Sequence, residues 1–401
     1  MPILPSIEPL IPSAAGIDES NLPEKALDLE RKAARLSGMI STQTGEVLEK
    51  HLRVINSYYS NLIEGHSTHP RDIRKAMNGD YSSDPVKRDL QLESIAHVTV
   101  QNTLATEAYG SVDLVGADCF KHIHKLFYEQ LPETLRQVKS ANETVWAYVE
   151  PGVFRQNGQD VEIGSHLPPV HNELDRYMER FQEVFRLDRL HGQNKVIGAM
   201  AAHHRFTWIH PFIDGNGRVG RLHTDLFLRS IGIGATGIWC LSRGLARRNA
   251  DYKSALAEAD KGRQGVSDGR GALSEKGLIT FCEFMIDTAI DQVDFMTQVL
   301  DLENMVKRIG SYIEDRNKGL IVGMPPIKTE AARLLEKAYL HGEFARSEME
   351  KITGLGLSVT RKIVQQLKEE GLLTETSSRS PLRWAIPEHA ERYYLPGLSP
   401  A

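Results

Sequence analysis

The chain has 401 residues, 41% of them hydrophobic and 25% charged, which is an ordinary composition for a globular protein of two or three domains. A formal net charge of −5 argues against general affinity for nucleic acid, although a local basic patch stays compatible with it. The cysteines lie far apart and match no disulfide or zinc spacing, which favours a reducing compartment. The N-terminus lacks the basic segment of a secretory signal, and no run reaches the roughly 20 apolar residues of a membrane span. We therefore expect a soluble cytoplasmic protein without a membrane segment.

Helical periodicity dominates the interior of the chain. Residues 1–22 are rich in Pro, Ser and Gly and predict an irregular arm. Beyond them, apolar residues recur at intervals of three and four, which predicts helices over 23–65, 86–109, 118–129, 170–190 and 194–210. Segment 143–169 interrupts this pattern, because its β-prone runs WAYV and VEI are separated by Gly, Asn, Gln and Asp. The predicted fold class is mainly α, with one small β-hairpin.

The tail has a pattern of its own after a Gly/Pro junction. It predicts helices over 328–340, 345–353 and 357–370, followed by a short hairpin, LLTE…LRWAI. Three helices with a tight turn between the last two, and then a wing, are the plan of a winged helix-turn-helix domain. We divide the chain into an N-terminal helical region, a core and this tail, with the bounds 1–93, 94–323 and 324–401.

Residues suited to catalysis and to ligand binding are concentrated in one stretch, HPFIDGNGRVGR at 210–221. The apolar helical pattern before it stops at His210, since the residue that precedes a proline is pushed out of helical geometry. Gly215, Asn216 and Gly217 allow a tight turn and close approach to a ligand. The helical pattern then resumes. The loop therefore opens onto a helix N-terminus, where free N–H groups and the helix dipole favour an anion.

The charged side chains of this stretch suit a nucleotide triphosphate. Arg218 and Arg221 are three residues apart, so they share one helix face and can both reach phosphate oxygens. Asp214 suits Mg²⁺, which prefers one or two carboxylates together with substrate phosphates. His210 can act as a general base near neutral pH. The combination predicts phosphoryl chemistry on a nucleotide.

The stretch resembles, without a departure, the motif of Fic-domain enzymes, His-Pro-Phe-x-Asp/Glu-Gly-Asn-Gly-Arg-x-x-Arg. The resemblance covers residues 94–300 and is most specific at the motif. It implies a protein adenylyltransferase that transfers AMP from ATP to a Ser, Thr or Tyr hydroxyl of a target protein, which could be the enzyme itself. The central Gly-Asn-Gly favours nucleotidyl transfer, because relatives that transfer phosphate carry a different loop.

The resemblance also implies a role for each motif residue. His210 would deprotonate the attacking hydroxyl, and Asp214 would hold Mg²⁺ between the α- and β-phosphates. The backbone N–H groups around Gly215, Asn216 and Gly217 would cradle those phosphates. Phe212 would be a buried anchor for the loop. Arg218 would stabilise the leaving pyrophosphate, and Arg221 would bind the γ-phosphate.

Two further segments resemble parts of the family. VEIGSHLPP (161–169) is similar to the flap that holds the target segment against the site, which adds Val161, Glu162, Ile163 and Gly164 to the predicted site. LSRGLARRNADYKSALAEAD (241–260) is similar to the stretch that closes the adenine side, and Tyr252 is its predicted nucleotide-binding residue.

A second motif, SNLIEG at 60–65, lies at the end of the predicted N-terminal helix. Ser60 and Glu64 are four residues apart and share a helix face, and Gly65 could cap the helix. The segment is typical of a plain helix end, but it also resembles the family's inhibitory motif, Ser/Thr-x-x-x-Glu-Gly/Asn. The resemblance implies that Glu64 forms a bidentate ion pair with Arg221 and displaces the γ-phosphate of ATP. In some relatives the same glutamate orients water for the removal of AMP.

Two other functions stay open from the residues alone. A metal-dependent phosphohydrolase would use the possible ligands His203, His204, His210, Asp214 and His223, although no metalloprotease motif occurs. A DNA-binding winged-helix regulator with an accessory nucleotide site would use basic and polar residues of the third tail helix and the wing. These are Arg361, Lys362, Gln365, Gln366, Lys368, Arg379 and Arg383. DNA contact is also compatible with catalysis, and a homodimer is compatible with the sequence.

Overall fold

A computed structural model describes residues 4, 6–139, 144–164, 166–233 and 237–400. Contacts among them divide the chain into two compact units. The first unit comprises Met1–Arg31, Asn56–Ala235 and Cys240–Gln292, and the second comprises Lys32–Ile55, Thr236–Trp239 and Val293–Ala401. The three-segment division at residues 93 and 323 stays a sequence-based prediction.

Helices form the larger part of the described chain, which confirms the predicted mainly helical fold class. Up to the motif they are, in chain order, α1 (Ala14–Asp18), α2 (Leu22–Gly38), α3 (Thr42–Ile63), α4 (Pro70–Met77), α5 (Pro85–Thr106), α6 (Ala117–Tyr128), α7 (Leu174–Phe185) and α8 (Asn194–Ile209). The helical segment predicted over 23–65 comprises two helices, α2 and α3. Local sequence explains where α5 begins: the Asp84 side chain accepts a hydrogen bond from the Val86 amide, and Pro85 follows it at the first helical position.

The helices after the predicted loop start where its glycines end. They are α9 (Asn216–Ser230), α10 (Leu241–Arg247), α11 (Asn249–Ala259), α12 (Glu275–Val299) and α13 (Leu302–Asn317). Helix α8 ends at Ile209, one residue before His210-Pro211, as the proline predicts. Gly215 caps the start of α9 with φ +82°, a left-handed conformation that glycine adopts without strain. The helix–loop–helix arrangement of the motif is therefore as the sequence predicts.

The predicted hairpin between WAYV and VEI is wrong in its pairing. WAYV overlaps strand β2 (Val145–Tyr148), which pairs antiparallel with an upstream strand, β1 (Gln137–Lys139). The residues between WAYV and VEI therefore do not connect two paired strands. They form two turns, at 151–152 and 157–158. The flap is instead a separate tight turn in which Ile163 and His166 exchange both backbone hydrogen bonds, at 2.9 and 3.0 Å. Glu143 and Ser165, which belong to the predicted segments, lie outside the described residues.

The tail is part of the second unit and contains both helices and strands. These are α14 (Ala331–His341), β3 (Glu343–Phe344), α15 (Met349–Thr353), α16 (Leu357–Glu369), β4 (Leu373–Thr374), β5 (Leu382–Trp384) and α17 (Glu388–Tyr394). The strands form one antiparallel sheet in the order β3-β5-β4, around the fully buried Trp384. The three predicted helices and the pairing of β4 with β5 are therefore present, and β3 and α17 were not predicted. The assignment to the winged-helix class stays a prediction.

No helix in the described part of the chain is both long and apolar enough to cross a membrane.

Candidate active site

His210 lies at the entrance of the loop in an unusual backbone conformation. Its φ and ψ are 49° and 57°, and it is the one non-glycine residue with positive φ in the described chain. Its Nδ1 lies 3.3 Å from the Thr207 carbonyl oxygen, so in the neutral ring Nδ1 donates this hydrogen bond and Nε2 accepts. Burial lowers the pKa of His210 to about 4, and the Arg155 guanidinium acts in the same direction. The imidazole is therefore neutral near pH 7 and can accept a proton.

The loop is closed by the side chain of Asn216. Its Oδ1 accepts from the Phe212 amide at 2.9 Å, and its Nδ2 donates to the Phe212 carbonyl at 2.8 Å. Phe212 is fully buried and stacks on the His124 ring at 3.9 Å. The Asn216 side chain is therefore used within the loop. Only its backbone N–H is left to face a ligand, as one of the first amides of α9, which have no partner within the helix.

Asp214 is held at the mouth of the loop by a tyrosine and an arginine. Its Oδ2 accepts from the Tyr128 hydroxyl at 2.7 Å and lies 3.3 Å from Nη2 of Arg218. Burial raises the pKa of this carboxyl, but the Arg218 charge and the Tyr128 hydrogen bond outweigh that effect and lower it. The side chain is 51% exposed, so the carboxylate is ionised and open to solvent. One exposed carboxylate next to the N-terminus of α9 fits Mg²⁺, which takes one or two protein carboxylates and obtains its other ligands from phosphate oxygens and water.

Buried groups also hold the backbone of Asp214. The Gly152 amide donates to Nδ1 of His124 at 2.9 Å, so Nε2 carries the ring proton and donates to the Asp214 carbonyl at 3.3 Å. Burial lowers the pKa of His124 to about 3, which keeps this tautomer neutral. A Cβ at Gly215 would lie 2.7 Å from the Tyr128 ring, so the loop needs a glycine at this position for space as well as for its positive φ.

Arg218 lies deep in the site. Its guanidinium lies 4.9 Å over the Phe127 ring, and Nη1 is 3.6 Å from Oε1 of Glu93. Its Nη2 donates to the Tyr128 hydroxyl at 3.1 Å. The Nε and Nη1 atoms have no hydrogen-bond partner among the described residues. These donors are available to an anion that enters the site.

Arg221 is bound by the end of helix α3. Its Nη2 lies 2.6 Å from Oε1 of Glu64 and 3.0 Å from the Ser60 carbonyl oxygen, and its Nε donates to the Ser60 hydroxyl at 2.9 Å. The predicted bidentate Glu64–Arg221 pair is therefore wrong in detail, since a single nitrogen meets the carboxylate. The physical reason is that Ser60 takes Nε, the donor that shares an edge of the guanidinium with Nη2.

Helix α3 ends so that Glu64 points into the site. The His66 amide donates to the Asn61 carbonyl and the Gly65 amide to the Leu62 carbonyl, both at 3.0 Å, and Gly65 has φ +89°. This pattern is a Schellman motif, so Gly65 caps the helix as predicted. A Cβ at Gly217 would collide with Oε1 of Glu64, so the carboxylate lies directly against the first turn of α9. Burial raises the pKa of Glu64, but Arg221 and Arg218 outweigh it and lower that pKa.

The flap is attached to the end of helix α8. The Pro169 carbonyl accepts from Arg155, and His166 Nε2 lies 2.7 Å from the Trp208 carbonyl. Three of the four predicted flap residues, Glu162, Ile163 and Gly164, are exposed, and Val161 is half-buried. The flap therefore offers an open surface that is fixed at its base.

Tyr252 is buried in α11, and its hydroxyl lies 2.7 Å from Nε2 of His203. Its predicted nucleotide contact would therefore come from its ring or from a rearranged hydroxyl. The other histidines proposed as metal ligands are also bound within the protein: His204 Nε2 lies 3.2 Å from the Leu256 carbonyl, and His223 Nε2 lies 2.9 Å from that of Leu114. No group of three possible metal ligands occurs in the described part of the chain.

Sequence reasoning missed four residues that build the site: Tyr128, His124, Glu93 and Arg155. The first three lie on helices where their spacing is that of ordinary core positions. Arg155 lies in an irregular segment, where no sequence pattern apart from its charge indicates a functional role. Each was invisible because its role depends on a contact far away in sequence.

Comparison with known proteins agrees with this geometry. Residues 118–228 match the Fic/DOC family model, and this segment spans α6, the flap and the motif. The chain carries a Fic/DOC domain. It is 32% identical over 124 residues to the protein adenylyltransferase Fic of Drosophila erecta, which is 30% of this chain and 25% of that protein. The Drosophila mojavensis protein of the same name is equally similar, with 24% of its length covered. The chain thus spans about a quarter of the curated relatives that it matches.

Solved structures show the same fold. A Fic family protein from Desulfovibrio desulfuricans G20 aligns with 90% of this chain and 96% of its own length, at a TM-score of 0.51 and 17% identity. Fic-1 from C. elegans aligns over 71% of this chain and 73% of its own, at a TM-score of 0.53 and 14% identity. These likenesses confirm a Fic fold.

Proposed function

We propose that this protein transfers AMP from ATP to a hydroxyl side chain of a target protein, which could be a copy of itself. Nε2 of His210 accepts the hydroxyl proton while the oxygen forms a bond to the α-phosphorus. The bond from that phosphorus to the bridging oxygen breaks, and pyrophosphate leaves. Positioning and charge stabilisation supply most of the rate in such transfers.

Different cationic and amide groups of the site bind different phosphates of ATP. The first amides of α9 bind the α- and β-phosphates. Arg218 supplies Nε and Nη1, which have no hydrogen-bond partner among the described residues, to the leaving pyrophosphate. Arg221 binds the γ-phosphate. Asp214 would hold Mg²⁺, which neutralises phosphate charge when bound.

The observation that carries the proposal is the place of the Glu64 carboxylate. It lies between Arg221 and the N-terminal turn of α9, which is where two independent features favour an anion. A carboxylate at this position restrains the enzyme, because the γ-phosphate needs the same arginine and is repelled by the same charge. A misplacement of the triphosphate by about 1 Å can cost on the order of a hundredfold in rate.

Mass spectrometry tests the proposal. The wild-type, His210→Ala and Glu64→Gly proteins are incubated with ATP and Mg²⁺, and the intact masses are compared for added AMP. We expect most AMP on Glu64→Gly, little on wild type and none on His210→Ala. A matched control is Glu107→Gly, since Glu107 is also a glutamate at a helix C-cap and pairs with His122 outside the site. Absence of AMP from Glu64→Gly would contradict the proposal.

Removal of AMP by Glu64 and DNA contact through the tail stay predictions. For DNA contact, Arg361 and Lys362 are exposed on α16 and have no ion pair within the described chain. In contrast, Lys368 and Arg346 both pair with Glu375, which reduces the local positive charge. A gel shift whose affinity falls steeply with salt would support DNA binding.

A further inference from the structure

We infer that Arg155 is a positioning residue, which fixes the backbone of His210 and ties the flap to it; this inference rests on the proposed function. The Arg155 side chain is fully buried, at 0% exposure. It lies outside the motif and does not contact the proposed phosphate ligands, so its contribution is separate from theirs.

One guanidinium bridges the helix end and the flap. Nε of Arg155 donates to the His210 carbonyl at 2.8 Å, and Nη2 donates to the Pro169 carbonyl at 2.8 Å. The Arg155 amide also donates to the Pro211 carbonyl at 2.8 Å. The side chain and backbone of Arg155 therefore bind the carbonyls of two consecutive residues, His210 and Pro211.

The remaining nitrogen of the fork binds a carboxylate outside the motif. Nη1 lies 3.0 Å from Oδ1 of Asp160, whose carboxylate also accepts from the His171 amide at 2.9 Å. Asp160 therefore orients the guanidinium and fixes the chain on the far side of the flap. The Asp160 side chain is 44% exposed, so this end of the bridge is the weaker one.

His210 needs such support because its backbone is strained. A non-glycine residue in the left-handed region is strained and persists only where its surroundings hold it. Two hydrogen bonds hold the His210 backbone. Its carbonyl accepts from Arg155, and its amide donates to the Phe206 carbonyl at 3.0 Å. A cation at the C-terminal end of α8 is also favoured by the helix dipole.

The consequence for catalysis is a fixed distance between base and flap. The same buried side chain, Arg155, fixes the position of the proton acceptor His210 and that of the flap, on which the target segment would lie. A lysine cannot reproduce this, since its single ammonium lacks the planar fork that spans two carbonyls. Arg155→Lys therefore keeps the charge and loses the bridge, whereas Arg155→Gln loses both.

The first test is the kinetics of AMP incorporation in the Glu64→Gly background, with the protein itself as acceptor. We expect Arg155→Lys and Arg155→Gln to lower kcat by about tenfold or more, since misplaced groups lose rate steeply. The KM for ATP should stay within about twofold, because Arg155 contacts none of the proposed phosphate ligands. Arg186→Gln is the matched control, as Arg186 is only half-buried and pairs with Asp188 away from the site.

The second test does not depend on activity. The His210 imidazole is titrated by NMR, and its signal is assigned by its absence from His210→Ala. The charged groups that act on this ring are Arg155, Asp214 and His166. Removal of the Arg155 charge should raise the His210 pKa in Arg155→Gln, while Arg155→Lys leaves it nearer to its original value. Hydrogen–deuterium exchange of the flap peptide should rise in both variants.

The outcomes separate the two proposals. If the Glu64→Gly parent incorporates no AMP, the proposed function fails, and the titration and exchange still decide on Arg155. If kcat stays within about twofold in both variants, or if the His210 pKa and flap exchange are unchanged, the positioning role is wrong. Should Arg155→Gln not fold, Arg155→Lys gives the kinetic and exchange results. Asp160→Asn, which leaves the His210 bond in place, should then change kcat less than Arg155→Lys does; an equal or larger loss overturns the inference.

Discussion

Oε1 of Glu64 lies 2.6 Å from Nη2 of Arg221, and the same oxygen lies against the backbone of Gly217 at the start of α9. The carboxylate therefore interacts at once with a buried guanidinium and with a helix N-terminus. Both are groups that bind phosphate. An ATP molecule in the site would compete with Glu64 through its γ-phosphate, and a nucleotide without that phosphate would compete far less.

This competition predicts a nucleotide-dependent effect of Glu64→Gly. In a His210→Ala background, which prevents transfer, the substitution should lower the Kd of ATP by about tenfold, or about 1.4 kcal/mol. The Kd of ADP should fall by less than about threefold, because ADP lacks the phosphate that Glu64 repels. Isothermal titration calorimetry with both nucleotides measures this, and Glu107→Gly in the same background is the control. An equal gain for ATP and ADP would show that Glu64 acts by general charge instead.

The motif was predictable from sequence because its chemistry is local. The proline at 211 and the glycines at 215 and 217 determine where α8 ends and α9 begins. This places His210 and Asp214 on the loop, with Arg218 and Arg221 in the first turns of α9. The helix end at Gly65 followed from the same kind of local pattern. Periodicity also gave most helices to within a few residues.

What could not be predicted depends on contacts that are distant in sequence. Nothing in the segment around Arg155 indicates that its side chain binds the His210 carbonyl, 55 residues away. The single-nitrogen form of the Glu64–Arg221 pair follows from the competing Ser60 hydroxyl, which lies 161 residues from Arg221. The flap was mispaired because a short strand such as β1 has too few residues for a visible alternation.

Gly215→Ala should damage both stability and nucleotide binding. The new Cβ would require φ +82° at an alanine and would meet the Tyr128 ring at 2.7 Å, so the Tyr128–Asp214 hydrogen bond would be disturbed. We expect a loss of about 1–3 kcal/mol in the free energy of unfolding, followed by urea denaturation, and weaker ATP binding.

Gly232→Ala is the matched control for this substitution. Gly232 has φ +81°, at the opposite end of α9, but nothing lies within 4 Å of the position that a Cβ would occupy there. The control therefore carries the backbone strain without the collision. Equal losses of stability for the two variants, with ATP binding intact in both, would contradict a role for the close approach of Tyr128.

Asp214→Asn tests the predicted magnesium ligand. In the Glu64→Gly background, Mg²⁺ should strengthen ATP binding, and the asparagine should remove most of that gain because it lacks the carboxylate charge that Mg²⁺ prefers. Calorimetry with and without Mg²⁺ gives the coupling, and AMP incorporation should fall by about a hundredfold. Asp118→Asn, an exposed aspartate in the first turn of α6, is the control. An unchanged effect of Mg²⁺ on the Kd of ATP would exclude Asp214 as its ligand.

His66, two residues after Glu64, should bind this segment to Glu93 of helix α5 in a pH-dependent way. Nδ1 of His66 lies 2.6 Å from Oε2 of Glu93, and this hydrogen bond raises the pKa of His66 although burial opposes it. The nearby Arg218 charge lowers this pKa and that of Glu64 raises it. Because the pKa is higher in the folded protein, the stabilisation is complete below the ordinary histidine pKa. It is lost as the pH rises through the folded value.

His66→Gln should therefore lower stability more in acid than in base. We expect the fall in urea midpoint relative to wild type to be larger at about pH 5.5 than at about pH 8.5, on either side of the histidine range. His191→Gln, an exposed histidine in the loop before α8, should show no such difference between the two conditions. The same loss of midpoint at both pH values, or a greater loss in base, would mean that His66 contributes to stability without its charge.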